Sequence, residues 1–483
     1  MPTPYFRPLS SLYDSEDVQA VLREPENFTQ LSDVDILEIS REQCSLYFHA
    51  GNEDLERHID HFERHTSADG GKLLAIFVSL EVKRHLTFSH QASIAFHCIG
   101  RLMEKSHLHP AFLPNLVGRP DYWSPGIFHD HDTDEHPRSL TFYCQHPRWN
   151  VNAVMAACSI YMKTDRVDNK TLYLIVTGKS DSIASSLTAD LSHFLEASRG
   201  TPDLIRSCVA DPFFLHVKAA VLIFEQSKVP VKEVRNKLYK LLDLLDEIPQ
   251  TLAVQRQREA ATRNTLASTT RDLNIISRNA DSLISSADRG LQVVRAMLVV
   301  HDKERAQACD DGRAHHAHFS ASEDHLRYVI YSLELQHSWL SSYKARKETA
   351  MNLVFNLAVQ LDSLTNMEMG RSMKKDSESM NTIATLTMLF LPATAVATIF
   401  GSNIFLNELN VKALIAYIVI TIVLTAFSMY IWTMQPHIRA MSHQFRRRLD
   451  RRNGANAAGS VGLNDVESAP AYVPLREDNS VPA

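Results

Sequence analysis

The chain has 483 residues, a formal net charge of −6 and 45% hydrophobic residues, which is enough to bury a sizeable core in more than one domain. The mildly acidic balance gives no case for a nucleic-acid partner. Six cysteines (Cys44, Cys98, Cys144, Cys158, Cys208 and Cys309), scattered without a C-x-x-C pair, argue against a disulfide framework and read as reduced thiols of a cytosolic portion.

The start, MPTPYFRPLSSLYDSEDVQA, has neither a basic segment followed by an apolar one nor an arginine-rich, acid-poor helix, so no cleavable targeting segment is expected. Residues 1–250 read as a cytosolic α/β domain. LLAIFVSLEV (73–82) and SLTFYCQ (139–145) have the density of β-branched and aromatic residues of strands, and MAACSIYMKT and TLYLIVTG, separated by the polar DRVDNK, read as a hairpin. Helices are expected near 182–198, 202–227 and 230–247, with Pro230 in the first turn of the last. The run FHDHDTDEHP holds His129, Asp130, His131, Asp132, Asp134, Glu135 and His136. It lacks the fixed spacing of a metal site and reads as a solvated loop.

Residues 251–379 read as long coiled-coil stalk helices. In the first, Leu266, Leu273, Ala280, Ala287 and Val294 recur every seventh residue, with Ile276, Leu283, Gly290 and Met297 three positions later. In the second, Ser320-Ala321-Ser322-Glu323 reads as a capping box, followed by Leu326, Leu333, Leu340, Val354 and Leu361. His315, His316 and His318 between the two helices do not share one helical face and suggest no metal site.

Between Glu378 and Glu408 there is no charged side chain, and after Lys412 the next is His437 or Arg439. Within residues 380–435, spans of 382–400 and 413–434 would be about 28 and 33 Å long as helices, each able to cross a hydrocarbon core of about 30 Å. A link of about a dozen residues makes them an antiparallel hairpin. Arg371, Lys374 and Lys375 before the first span, and Arg439, Arg446, Arg447, Arg448, Arg451 and Arg452 after the second, put both termini in the cytosol and the loop outside. Those basic residues suit anionic lipid, and Tyr430 and Trp432 suit an interfacial belt. Residues 436–483 form a basic and then disordered cytosolic tail. The fold class is therefore an α+β cytosolic domain with long coiled-coil stalk helices and a C-terminal two-helix transmembrane hairpin.

Met380, Ala384, Thr387, Leu391, Thr394, Thr398 and Gly401 fall at steps of three or four and share one stripe of the first span. The stripe leads to Asn403, an uncharged amide, and reads as a pore lining if several copies surround an axis. The alternative is that each threonine bonds back to its own helix against a neighbour. Pro392 removes one backbone hydrogen bond and would kink the span. The chain shows no phosphate-cradling glycine loop, nucleophile elbow or cysteine–histidine scaffold, so it is expected not to be an enzyme and to carry no cofactor.

The stretch NLVFNLAVQLDSLTNMEMGRSMKKDSESMNTIATLTMLFLPATAVATIFGSNIF, with the short loop and second span that follow, resembles the C-terminal region of CorA-type divalent-cation transporters, especially their fungal CorA-like members, over residues 350–435. DPFFLHVKAAVLIFEQ and the paired long helices resemble the family more loosely. The resemblance implies a homopentamer, with the first span lining the pore and Mg2+ as the transported and regulatory ion. The family's signature at the outer end of that span is Gly-Met-Asn; Gly401 and Asn403 match it and Ser402 departs from it. It also implies that Asn403 and the Gly401 backbone hold a hydrated ion at the pore mouth and that Glu408 in the outer loop attracts cations. Branches with another middle residue handle Zn2+, so Ser402 keeps that ion open, and a non-conducting membrane-anchored scaffold is the reading from another class. The plasma membrane is the default location, with an internal organelle as the alternative.

Overall fold

A computed structural model of the chain describes residues 15–40, 44–64, 71–83, 90–120, 125–131, 137–149, 156–179, 181–198, 209–252, 259–310, 316–401, 415–432 and 434. The chain divides into two compact units, Met1–Leu361 and Asp362–Ala483.

In the first unit the elements run α1 (Glu16–Arg23), β1 (Phe28–Thr29), β2 (Val34–Ile39), β3 (Cys44–Ala50), α2 (Asn52–Glu63), β4 (Lys72–Val82), β5 (His90–Ala95), α3 (Phe96–Lys105) and α4 (Leu113–Leu116). They continue with β6 (Gly126–His131), β7 (Pro137–Gln145), β8 (Ser159–Asp165), β9 (Lys170–Gly178), α5 (Ser182–Ser198), α6 (Phe214–Leu252), α7 (Glu259–Asp310) and the start of α8 (His316–Gly401). The strands form one sheet in the order β1-β5-β4-β9-β8-β7-β6. β2 shares one edge of β4 with β5: β2 lies antiparallel to Leu73–Phe77 and β5 to Leu80–Val82. β4 and β9 are parallel from Lys72–Leu80 to Lys170–Gly178.

The near-continuous apolar run of β4 follows from this central place. Leu73 and Ala75 enter one core, while Leu74, Ile76, Val78 and Leu80 enter the other. α1 to α4 cover the second face, and α5 to α8 cover the first. The β8–β9 hairpin turns where expected, because the Asp165 carboxylate accepts from the Val167 and Asp168 amides and Asn169 takes a positive φ of 48°. In the long helices the heptad seam is buried throughout, from Leu273 and Ala287 in α7 to Leu326, Leu333 and Leu340 in α8.

Three expectations need correction. Pro230 does not open a helix but lies inside α6, which runs unbroken from Phe214 to Leu252. Ile223 and Phe224 before it and Val234 and Leu238 after it enter the same core, so packing on both sides outweighs the one hydrogen bond that proline removes. The Ser320–Glu323 capping box does not form, because α8 already starts at His316. Ser322 instead donates to Asp211, and Glu323 accepts from Arg305 and Arg327. Finally, Phe128 to His131 of the acidic histidine run belong to strand β6, paired with β7, and not to a loop; the residues from Asp132 to His136 lie outside those described.

Candidate functional site

The membrane-length segments are the end of α8 and a ninth helix, α9 (Ile415–Trp432). Both are long and apolar enough to cross a membrane, and only 6% of the apolar window in α8 and 0% of α9 is buried within the chain. Core helices of a soluble protein would be covered, so these two present their apolar surface to something other than their own chain. α8 continues through Pro392 to Gly401.

The striped residues keep their expected spacing. At 100° per residue, Thr387, Leu391, Thr394 and Thr398 fall within about 60° of one another, and all four are exposed, Leu391 to 67%. Each threonine hydroxyl donates to its own helix. Thr387 bonds the Ile383 and Ala384 carbonyls at 3.0 and 2.9 Å, Thr394 those of Phe390 and Leu391 at 3.1 and 3.0 Å, and Thr398 that of Thr394 at 2.7 Å. With the proton committed inward, what each hydroxyl presents outward is oxygen lone pairs. The face is thus a row of neutral acceptors, suited to the water shell of a cation. Gly401 closes the helix; Ser402, Asn403 and Glu408 lie outside the described residues.

Elsewhere the first unit holds several polar constellations. His129 and Asp130 are consecutive in β6 and point to opposite sheet faces, with Asp130 bonded to Ser139 at 2.7 Å. Glu56, His97 and Cys98 bring three ligand atoms together. However, the Arg101 guanidinium stands 3.2 Å from the Glu56 carboxylate, and the positive N-terminal end of α3 faces the group, so local charge opposes a metal ion. Ser322, Asp211 and His301 meet in the core, yet the serine bonds the carboxylate and His301 Nε2 lies 3.6 Å from that same carboxylate. A hydrolytic triad needs the imidazole between serine and acid, so this group does not activate a nucleophile.

Two clusters were not found from sequence. Glu38 of β2 meets His58 and His61 of α2 at 2.9 Å each and the buried Lys72 ammonium at 2.6 Å. Cys144 of β7 has its sulfur 3.8 Å from His146 Nε2 and 3.9 Å from Nδ1 of His216, in the first turn of α6. Burial pushes the His146 pKa down to about 4 and that of His216 well below its ordinary value, so both rings are neutral.

No protein-family model matches the chain, and no curated protein matches it. Among solved structures it is similar to the CorA magnesium transporter from Methanocaldococcus jannaschii, at 11% identity over 83% of this chain and 96% of the other, with a TM-score of 0.37. It is also similar to the full-length CmaX protein, at 14% identity over 83% and 97% of the two chains and a TM-score of 0.29. A third similarity is to the ZntB cytoplasmic domain from Vibrio parahaemolyticus, at 8% identity over 68% and 99%, with a TM-score of 0.34.

Proposed function

We propose that the chain is one subunit of an oligomeric membrane channel or transporter that passes divalent metal cations, with hydrated Mg2+ as its ion, along a pore lined by the C-terminal part of α8. The observation that carries this reading is the uncovered stripe of Thr387, Thr394 and Thr398 on the membrane-length end of α8, which has no charged side chain after Glu378. The hydroxyls bond back to their own helix, as the packing alternative also expects, but their outward lone pairs at steps of one and two turns are placed to support water around a cation. Two spans cannot enclose such a path, so the reading requires several copies.

The resemblance of residues 350–435 to CorA-type transporters supports the same reading, in which Gly401 and Asn403 stand at the pore mouth. An amide ring holds an ion by dipoles without trapping it, which suits Mg2+, the ion that gives up water most reluctantly. Glu408, in the loop on the outer side, raises the local cation concentration. Ser402 favours a second ion: a hydroxyl where the family carries a thioether alters the width and hydration of the ring, and Zn2+ is the competitor.

The test is cation flux into proteoliposomes containing the purified chain. Wild type is expected to admit Mg2+ and Asn403→Ala to lose at least about tenfold of that flux, the factor set by removing about 1.4 kcal/mol of ion stabilisation. Equal Mg2+ entry in both, or none in either, defeats the proposal and leaves the scaffold reading. Ser402→Met is expected to raise the ratio of Mg2+ to Zn2+ flux, and an unchanged ratio removes Ser402 from selectivity.

A further inference from the structure

A cavity of about 140 Å3 opens where the ends of α2 and α3 meet β7, β8 and β9. The β8–β9 register opposes Lys163 to Leu172 and Asp165 to Lys170, so all four stand on the sheet face that α2 and α3 cover. Four cations line the cavity against three carboxylates. The carboxylates and two of the cations are already engaged. Glu63 accepts from Ser106 at 2.6 Å and meets Lys170 at 3.2 Å, and Lys170 also lies 3.5 Å from Asp168. Asp165 accepts from the Val167 and Asp168 amides at 2.9 and 3.2 Å. Lys105 lies 3.3 Å from Asp60 and offsets the negative C-terminal end of α3.

Lys163 and Arg138 remain. The Lys163 ammonium has Asp130 at 3.8 Å and the Arg138 Nε has Asp165 at 3.7 Å, both beyond hydrogen-bond length. The Lys163 side chain is only 14% exposed, so water replaces little of what these contacts lack. Burial pulls its pKa below the ordinary lysine value, and the charges of Asp130, Asp165 and Glu63 do not restore it. The cavity is therefore short of negative charge at its most buried cation. His107 lines the same space from left-handed backbone just after α3, with φ of 49°, a conformation that glycine adopts without strain. Burial, and then the Lys163 charge, lower its pKa, so the ring is neutral.

We propose that this cavity binds a phosphate dianion, free or as the terminal group of a nucleotide, with Lys163 and Arg138 as its cationic anchors and His107 as a neutral donor. A phosphate carries about two negative charges near neutral pH, which matches the two underpaired cations. Arg138 brings a planar fork that fits two phosphate oxygens, and Lys163 brings a compact point charge. The volume holds a tetrahedral oxyanion together with some of its water. The bound group would join the ends of α2 and α3 to the β7–β8 ladder, wholly within the first unit and independently of the proposed pore.

The experiment uses the full-length chain in detergent and metal-free buffer, titrated calorimetrically with inorganic phosphate or ATP at constant ionic strength, with chloride as the control. One saturable phosphate per chain and a rise in melting temperature are expected, with neither effect from chloride. ATP binding more tightly than phosphate, with the same dependence on Lys163, assigns the group to a nucleotide; equal or weaker ATP binding assigns it to free phosphate. Lys163→Met and Arg138→Gln should each weaken binding by about 10–100-fold, the loss of one charge-assisted hydrogen bond. His107→Gly should weaken binding while raising the melting temperature of the unliganded chain, a pairing that a purely structural histidine would not give. Asn403→Ala should bind phosphate as wild type does, so failure of the pore reading leaves this one standing. No saturable binding of either ligand up to about 10 mM overturns the proposal. So does unchanged affinity in a folded Lys163→Met variant, or an equal response to chloride.

Discussion

Glu38 shows how much one buried carboxylate can organise. Burial raises its pKa, but hydrogen bonds from His58 and Lys72, the Lys72 charge and the His61 contact override that and hold it at about 2, below the ordinary 4.5. Lys72 is 1% exposed, and its ammonium lies 2.6 Å from the Glu38 carboxylate and 2.7 Å from His61 Nδ1, so the carboxylate and the ring both surround one buried cation. Because the folded pKa is depressed, the stabilisation is complete above about 4.5 and is lost as pH falls towards about 2. Thermal unfolding of the full chain should therefore weaken through that acid window, and less so in Glu38→Gln. At neutral pH Glu38→Gln strands the ammonium and should cost about 3–5 kcal/mol, while Glu38→Gln with Lys72→Met should recover most of it. If the double variant is no more stable than the single one, the ion pair is not the source of the loss. None of this was visible in the sequence, where Glu38, His58, His61 and Lys72 are spread over three elements and look like surface residues.

Among elements, legibility followed the strength of the local pattern. β4 and the β8–β9 hairpin could be read because a strand buried on both faces is apolar along its length, and the turn between β8 and β9 carries Asp165 and Asn169. β2, β3 and β5 are short and only partly apolar, and β3 carries exposed Tyr47, Phe48 and His49, so no alternation marks them. The capping signature at Ser320 failed because tertiary partners, Asp211 and two arginines, took its side chains. The Cys144 and His216 pairing crosses 72 residues, beyond any local motif. The heptads, by contrast, predicted a contact that can be tested. A Cβ added at Gly290 would lie 3.2 Å from Leu333 Cδ1, so the glycine lets α7 and α8 approach. Leu333→Ala should cost about 2–5 kcal/mol through the cavity it leaves. In that background Gly290→Ala should stabilise by up to about 1 kcal/mol through helix propensity, whereas alone it should gain less or destabilise. Additive effects in the double-mutant cycle would mean that the two helices do not meet there.

At the scale of the whole molecule, the charge pattern and the proposed function constrain each other. The segments flanking the two apolar stretches are basic and the residues between them carry only Glu408 and Lys412, so on the proposed function a cation would enter from the side of those residues. A divalent ion moving inward gains about 4.6 kcal/mol per 100 mV, twice the single-charge value, so the membrane potential alone is a sufficient drive and no nucleotide site is needed. Uptake into proteoliposomes should then depend on an inside-negative potential. At about −100 mV the accumulation limit is roughly two thousandfold, and clamping the potential to zero should reduce uptake to the level set by the concentration gradient. On the proposed function the conducting particle contains several chains, because the exposed stripe of one α8 can line a lumen only with its copies. Potential-independent uptake, or potential-driven flux from particles proven to be single chains, would each contradict the idea that these uncharged helices converge on a shared cation path.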